Sequence, residues 1–376
     1  MHESRTENRK NRDDPEGEPR VPEVRKQQPS TKLSRDEFER RLGERFHDPA
    51  FDAVRDEIRK VMDVAWDCYD EYRKSPRRRK AGNGFADPTH ELAVEWLEAR
   101  DAIREAQRRH DDPDSPRRVL LVSAAARSSQ TCPGETPKTW RLAQLARAVF
   151  AGEGIECDFL DLSLLTAEYG RQILPCKSCV ATAMPLCHWP CSCYPNHAMA
   201  QVNDWMNELY PRWVAAHAVM IVSPVYWHSP PGTLKLMMDR LVCADGGNPD
   251  PTSTHGKNPE EAKALELKGW DYPRHLAGRL FGIVVHGDAA GAETVRRILA
   301  DWLTDMQLEP AGPQATLDRY IGYYEPYATS HEALDRDDAI QEETRNVART
   351  VVDALRLRAE GKLEPRGQEL HDPRPK

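Results

Sequence analysis

Hydrophobic positions recur at three- and four-residue steps from Leu33 to about Arg109, a spacing that predicts amphipathic helices. Ser34 opens a Ser-x-x-Glu capping box with Glu37, and Phe38, Leu42 and Phe46 follow on one face. A second stripe runs through Phe51, Val54, Ile58, Met62 and Trp66, and a third, after Asp87-Pro88-Thr89, through Leu92, Trp96 and Ile103. Between the second and third lies KSPRRRKAGNGFADP, a basic segment punctuated by Gly and Pro, which reads as a solvated connector in preference to an anion site.

At Arg117 the period changes. Val119–Val122 is a short apolar run of the kind buried on both faces of a sheet, and it is followed by a loop and a helical stripe through Trp140, Leu142, Leu145, Ala146 and Val149. The alternation repeats with strands at Ile155–Leu162, Ala218–Val222, Leu280–Val285 and, more weakly, within Ala315–Ile321. Helical patterns occupy Asn203–Ala216, Leu234–Val242, a segment with Val295, Ile298, Leu299 and Trp302, and a last one with Ile340, Val347, Val351 and Leu355. Strands alternating with helices imply right-handed crossovers and a five-stranded parallel sheet, doubly wound, with an N-terminal helical extension. The expected organisation is a disordered tail over 1–32, the helical extension over 33–115, the α/β domain over 116–358 and a polar C-terminal tail over 359–376. Residues 1–32 contain only Met1, Val21 and Val24 as apolar residues, too few to offset the entropy of ordering.

Composition narrows the function. With 53 Lys and Arg against 61 Asp and Glu, the net charge of -8 provides no general attraction to phosphate backbones or acidic lipids, so neither nucleic acid nor a membrane is expected as partner. The N-terminal segment lacks the apolar core of a secretory signal, which predicts a cytoplasmic protein. Of nine cysteines, five (Cys176, Cys179, Cys187, Cys191 and Cys193) crowd into one stretch with spacing C-x2-C-x7-C-x3-C-x-C, a local density unlike a disulfide framework. Such a cluster admits an iron-sulfur centre, a structural zinc, a transient disulfide such as Cys191 with Cys193 or Cys187, or unligated thiols.

In doubly wound sheets ligands sit outside the carboxyl ends of the strands, so the loops there are the place to look for chemistry. The loop after the first strand, SAAARSSQTCPGETPKTW, is rich in hydroxyls, contains Arg127 and runs into a helix whose first turn holds Lys138 and Thr139. Hydroxyls and exposed N–H groups at a helix start suit a phosphate. The loop has neither the G-x-x-x-x-G-K-[ST] nor the G-x-G-x-x-G pattern, which favours a monophosphate ligand over a triphosphate or dinucleotide; the alternative is a polar loop that caps a helix. After the third strand, SPVYWHSPPGTLKLMMDR offers Tyr226 and Trp227 on a proline-stiffened loop, either to cover a flat ring or as core filler. After the fourth, HGDAAG leaves His286 and Asp288 beside flexible backbone.

Together these loops resemble those of the flavodoxin-like NAD(P)H-dependent FMN reductases, over roughly 117–357. The most specific element is Ser223-Pro-Val-Tyr-Trp227 followed by Leu234-Lys235 and Asp239-Arg240, which is similar to the family's P-x-Y-W and L-K-x-x-x-D-R loop and helix. The resemblance implies a flavodoxin-like fold and an FMN-dependent oxidoreductase that takes electrons from NAD(P)H and passes them to a quinone or another small acceptor. It implies that Ser123, Arg127, Ser129 and Thr139 hold the phosphate, that Pro224, Val225, Tyr226, Trp227 and His228 flank the ring, and that His286, Gly287 and Asp288 meet its far edge. It further implies a homodimer or homotetramer. The cysteine segment resembles that of the iron-sulfur flavoproteins, which implies a [4Fe-4S] cluster on Cys176, Cys179, Cys187 and Cys191 or Cys193. The rival reading is an electron carrier or redox-sensing protein without turnover. Against a bare carrier stands the added length, including a long insert over 243–278 that is expected to build a substrate pocket or a subunit contact.

Overall fold

A computed structural model describes residues 32–131, 135–270 and 274–363. The expected N-terminal tail, except for Lys32, and the expected C-terminal tail beyond 363 lie outside the described residues. The chain divides into two compact units, Met1–Asp67 and Cys68–Lys376. The expected helical extension 33–115 therefore falls partly in each.

In the first unit, helix α1 (Arg35–Gly43) begins where Ser34 accepts a hydrogen bond from the Glu37 N–H at 3.3 Å. Glu37 does not complete the reciprocal half of the capping box; its carboxylate takes Arg40 and Arg41 instead. A 3-10 turn at Pro49–Val54 leads into helix α2 (Arg55–Asp70), and Phe38 meets Trp66 edge-on with ring centroids 5.4 Å apart.

The second unit opens with a hairpin that the helical pattern does not anticipate. Strand β1 (Arg78–Lys80) pairs antiparallel with β2 (Glu91–Ala93), so Leu92 belongs to a strand and the basic segment is only partly a connector. Three residues per strand are too few to show a period of two, and the pairing rests on cross-strand hydrogen bonds that no local pattern encodes. Helix α3 (Val94–Asp111) follows, and its Ile103 and Ala106 are buried in the core of the sheet domain.

The central sheet contains β3 (Arg118–Ser123), β4 (Glu156–Asp161), β5 (Ala218–Pro224), β6 (Leu280–Gly287), β7 (Glu309–Pro310) and β8 (Thr316–Tyr320). All pairs are parallel, in the order β4-β3-β5-β6, with β7 against the start of β6 and β8 against its remainder. The fifth strand position is thus filled in two pieces, and the order is that of a flavodoxin-like sheet. Alternate side chains serve opposite layers. Val119, Leu121, Met220 and Val284 face α4 (Lys138–Gly152) and α11 (Asp338–Ala359). Leu120, Val122, Ile221 and Ile283 face α3, α6 (Met206–Ala215), α7 (Gly232–Gly246) and α9 (Ala292–Asp305). Gly282 on β6 admits α11: a Cβ there would lie 2.8 Å from Val351.

Short helices α5 (Leu164–Ala167), α8 (Pro259–Leu267) and α10 (Ser330–Asp335) complete the unit. The insert that carries α8 covers the cysteine segment, since Ala262 packs with Ala183 and Leu186, and Asn248 accepts from the Trp189 N–H at 2.9 Å. No helix among the described residues is long and apolar enough to cross a membrane.

Candidate active site at the carboxyl edge of the sheet

Three loops meet where β3, β5 and β6 end, around a cavity of about 100 Å³. From the first loop and the start of α4 come Arg127, Lys138 and Thr139; from the second, Pro224, Val225 and Tyr226; from the third, His286, Gly287 and Asp288. Segments up to about 160 residues apart in sequence are thereby joined. The second loop is fastened to β6 by a 3.0 Å hydrogen bond from the Val225 N–H to the His286 carbonyl, and Gly287 lets Val225 approach, because a Cβ there would lie 3.2 Å from it. Of the other expected residues, Ser123 is fully buried at the end of β3 and its hydroxyl finds no hydrogen-bond partner among the described residues. Ser129, Trp227 and His228 are exposed and do not line the cavity.

The alternation along β6 that sends Val284 toward α4 sends His286 the same way, onto the first turn of that helix. Its Nε2 lies 2.8 Å from Thr139 Oγ1, while its Nδ1 is buried beside the cavity without a hydrogen-bond partner among the described residues. Burial, followed by the nearby Lys138 ammonium, pushes the His286 pKa down to about 3, so the ring is neutral at physiological pH. Lys138 donates to Ser330 Oγ at 2.9 Å, and burial lowers its own pKa against the opposing pull of Asp288 and Glu135.

Arg127 reaches the cavity with its guanidinium bound to Glu135, whose carboxylate also faces His331 Nδ1 at 3.2 Å. This buried acid between Arg127 and His331 has no signal in the sequence. Glu135 lies within the hydroxyl loop and reads there as an ordinary polar position, and His331 and Ser330 come from α10, with no local signal of proximity.

The second loop ends in a tight turn. Tyr226 and Ser229 exchange N–H to carbonyl hydrogen bonds of 2.9 and 3.0 Å, and the two residues between them, Trp227 and His228, both have left-handed backbone, with φ of 47° and 61°. Turns of this kind favour Asn-Gly, so a Trp-His pair stores strain. The turn leaves the Trp227 side chain 95% exposed, which rules out the core-filler alternative for that ring.

The cysteine segment follows β4, as its sequence position requires. Among the described residues no group of three or more His, Cys, Asp or Glu side chains is placed to hold a metal ion. Cys187 and Cys193 are buried, the latter packed with Leu174 and Tyr194, while Cys179 faces Lys257 at 3.3 Å. The Cys179-to-Cys187 interval is occupied by two 3-10 turns, Cys179–Ala181 and Met184–Leu186, which pack against the insert.

A family profile described as NADPH-dependent FMN reductase matches residues 118–318, more than half of the chain. The chain belongs to this family. Solved structures similar to this FMN reductase family member include that of RosB with bound 8-demethyl-8-formylriboflavin-5′-phosphate, at 14% identity and a TM-score of 0.44 over 65% of this chain and 81% of that one. Azoreductase AzrA is 15% identical with a TM-score of 0.35, over 61% of this chain and 98% of its own. The apo form of the NADH:FMN oxidoreductase EMOB is 13% identical with a TM-score of 0.35, over 63% and 90%. No curated protein sequence matches.

The residues present fit the family's flavin mononucleotide. Its phosphate is an anion, and the cavity offers the Lys138 ammonium, the Thr139 hydroxyl and the N–H groups that open α4. His286 and the 224–226 and 287–288 segments supply a wall for a ring.

Proposed function

We propose that the cavity formed by Thr139, Lys138, Tyr226 and His286 binds FMN, and that the protein carries electrons from NAD(P)H to a quinone or another small acceptor. The observation that carries this reading is the meeting of a cationic helix start with a neutral buried histidine and a strained aromatic loop in one cavity of a family member. The bound flavin would supply hydride acceptance and donation. The chain's own part is to bind and orient. Lys138 and the first turn of α4 attract the anion, and Thr139, fixed by His286, directs its hydroxyl. A neutral His286 presents Nδ1 without placing a second positive charge in the site. Tyr226 forms one wall, and Trp227, projecting from its turn, is positioned to cover the open side of the ring or the incoming nicotinamide. We further propose a homodimer or homotetramer, on the family resemblance alone.

The test is anaerobic NAD(P)H oxidation by FMN-loaded protein, with a benzoquinone as acceptor. Quinone-dependent turnover supports the proposal. Tight flavin binding with no turnover toward quinone, nitro or azo acceptors would transfer the reading to an electron carrier, and failure to bind FMN at micromolar concentration would remove both.

A further inference from the structure

Outside the cavity, the cysteine segment holds an arrangement that flavin chemistry does not use. Cys179 Sγ lies 3.6 Å from Cys193 Sγ, although the two residues are fourteen positions apart. On its other side Cys179 receives the Lys257 ammonium at 3.3 Å, and that same ammonium donates to the Leu186 carbonyl at 2.6 Å, which holds it in place. The cation comes from the insert and the thiols from the loop after β4, so the set exists only in the folded chain. Exposure is unequal: Cys179 is half-buried next to exposed Lys177 and Ser178, whereas Cys193 is 5% exposed beneath Leu174 and Tyr194. Ser178 has left-handed backbone, φ 53°, and so turns the chain sharply just before Cys179.

We propose that Cys179 and Cys193 form a reversible dithiol–disulfide pair, in which the accessible Cys179 meets a peroxide-class oxidant and the buried Cys193 closes the bond. The Cys179 thiolate attacks one peroxide oxygen, the O–O bond breaks, and a sulfenic acid forms on Cys179 as hydroxide leaves and is protonated to water. The Cys193 sulfur then attacks Cys179 Sγ, the S–O bond breaks, and a second water departs. In sum, two thiols and one hydrogen peroxide give one disulfide and two waters: the thiols lose two electrons and the peroxide gains them. Closure requires the sulfurs to move from 3.6 Å to about 2.05 Å, a shift within the reach of side-chain rotation in a loop held by 3-10 turns. An external dithiol restores the reduced pair by exchange.

The charges around the two sulfurs suit these roles. The Lys257 ammonium, 3.3 Å from Cys179 Sγ, stabilises negative charge on the attacking sulfur. Cys193, 5% exposed and packed with Leu174 and Tyr194, is shielded from the oxidant until Cys179 has reacted.

The experiment uses the full chain, treated with hydrogen peroxide and alkylated with light iodoacetamide before and heavy iodoacetamide after reduction. Fragment mass spectrometry then reads each cysteine separately. Heavy label on Cys179 and Cys193 together, reversed by prior dithiothreitol, is the expected result, and the Cys193→Ser variant should instead retain sulfenic or sulfinic acid on Cys179. Heavy label on a different pair, or over-oxidised Cys179 in the unmodified chain while Cys193 remains light, overturns the proposal. Lys257→Met should slow Cys179 alkylation near pH 7 by about tenfold, relative to its own rate at pH 9. Should that variant unfold, the unmodified chain decides: alkylation of Cys179 that rises only around the ordinary thiol range contradicts the assignment.

Discussion

Thr139 Oγ1 and His286 Nε2 lie 2.8 Å apart and join the first turn of α4 to the last full turn of pleat on β6. This one contact ties the start of α4 to the carboxyl edge of the sheet, where the proposed ring would rest. It also determines which ring nitrogen, Nδ1, is left buried without a hydrogen-bond partner among the described residues.

Removing the hydroxyl tests that link. Thr139→Ala should weaken FMN binding by about 1.5 to 3 kcal/mol, the usual worth of a hydrogen bond to a charged group, read by flavin fluorescence titration of stripped protein. Thr139→Ser should recover most of it. Equal affinities for all three proteins would separate Thr139 from the phosphate.

Acid should destabilise the apoprotein through buried histidines. His286 titrates near 3 in the folded chain against about 6.5 unfolded, so its contribution is complete above pH 6.5 and is lost as pH falls toward 3, at up to about 1.4 kcal/mol per pH unit. His217 and His275, both lowered to about 4 by burial, add slopes in the same direction. Urea denaturation from pH 7 to 4.5 should show this decline, and His286→Gln should remove up to one proton from the slope. An unchanged slope in that variant contradicts a neutral buried His286.

The turn at Trp227-His228 should be a site where stability and activity oppose one another. Replacing the pair by Asn-Gly relieves left-handed strain and should raise the apoprotein's unfolding free energy by about 1 to 2 kcal/mol. The same variant should lose NAD(P)H oxidation, because the exposed ring is gone. A variant that is no more stable, or is fully active, would count against that role.

Gly282 is required by packing alone. Its added Cβ would meet Val351 at 2.8 Å and Val347 at 3.3 Å, so Gly282→Ala should cost about 1 to 3 kcal/mol through overpacking of α11 on β6. The double variant with Val351→Ala should recover part of the loss, and chemical denaturation measures both.

Much of this architecture is written in local pattern. The apolar runs Val119–Val122, Ala218–Val222 and Leu280–Val285, separated by helical stripes, determine a parallel sheet because each buries both faces and is too far from the next for a hairpin. The same reasoning places the hydroxyl loop, the Tyr226-Trp227 loop and His286 at one edge, and eight of the twelve residues expected at the cofactor line the cavity there. Tertiary structure alone decided what depends on distant partners. Leu92 sits in a strand because Arg79 stands opposite it, and Arg127 meets Glu135 with His331 behind it, about 200 residues away in sequence. The cysteines appear in sequence as one group of five, but folding divides them by burial and hands Cys179 to Lys257 from the insert. Periodicity reports which side of an element is apolar; it carries no information about which charge from a remote loop will be desolvated against it, and that pairing sets the chemistry.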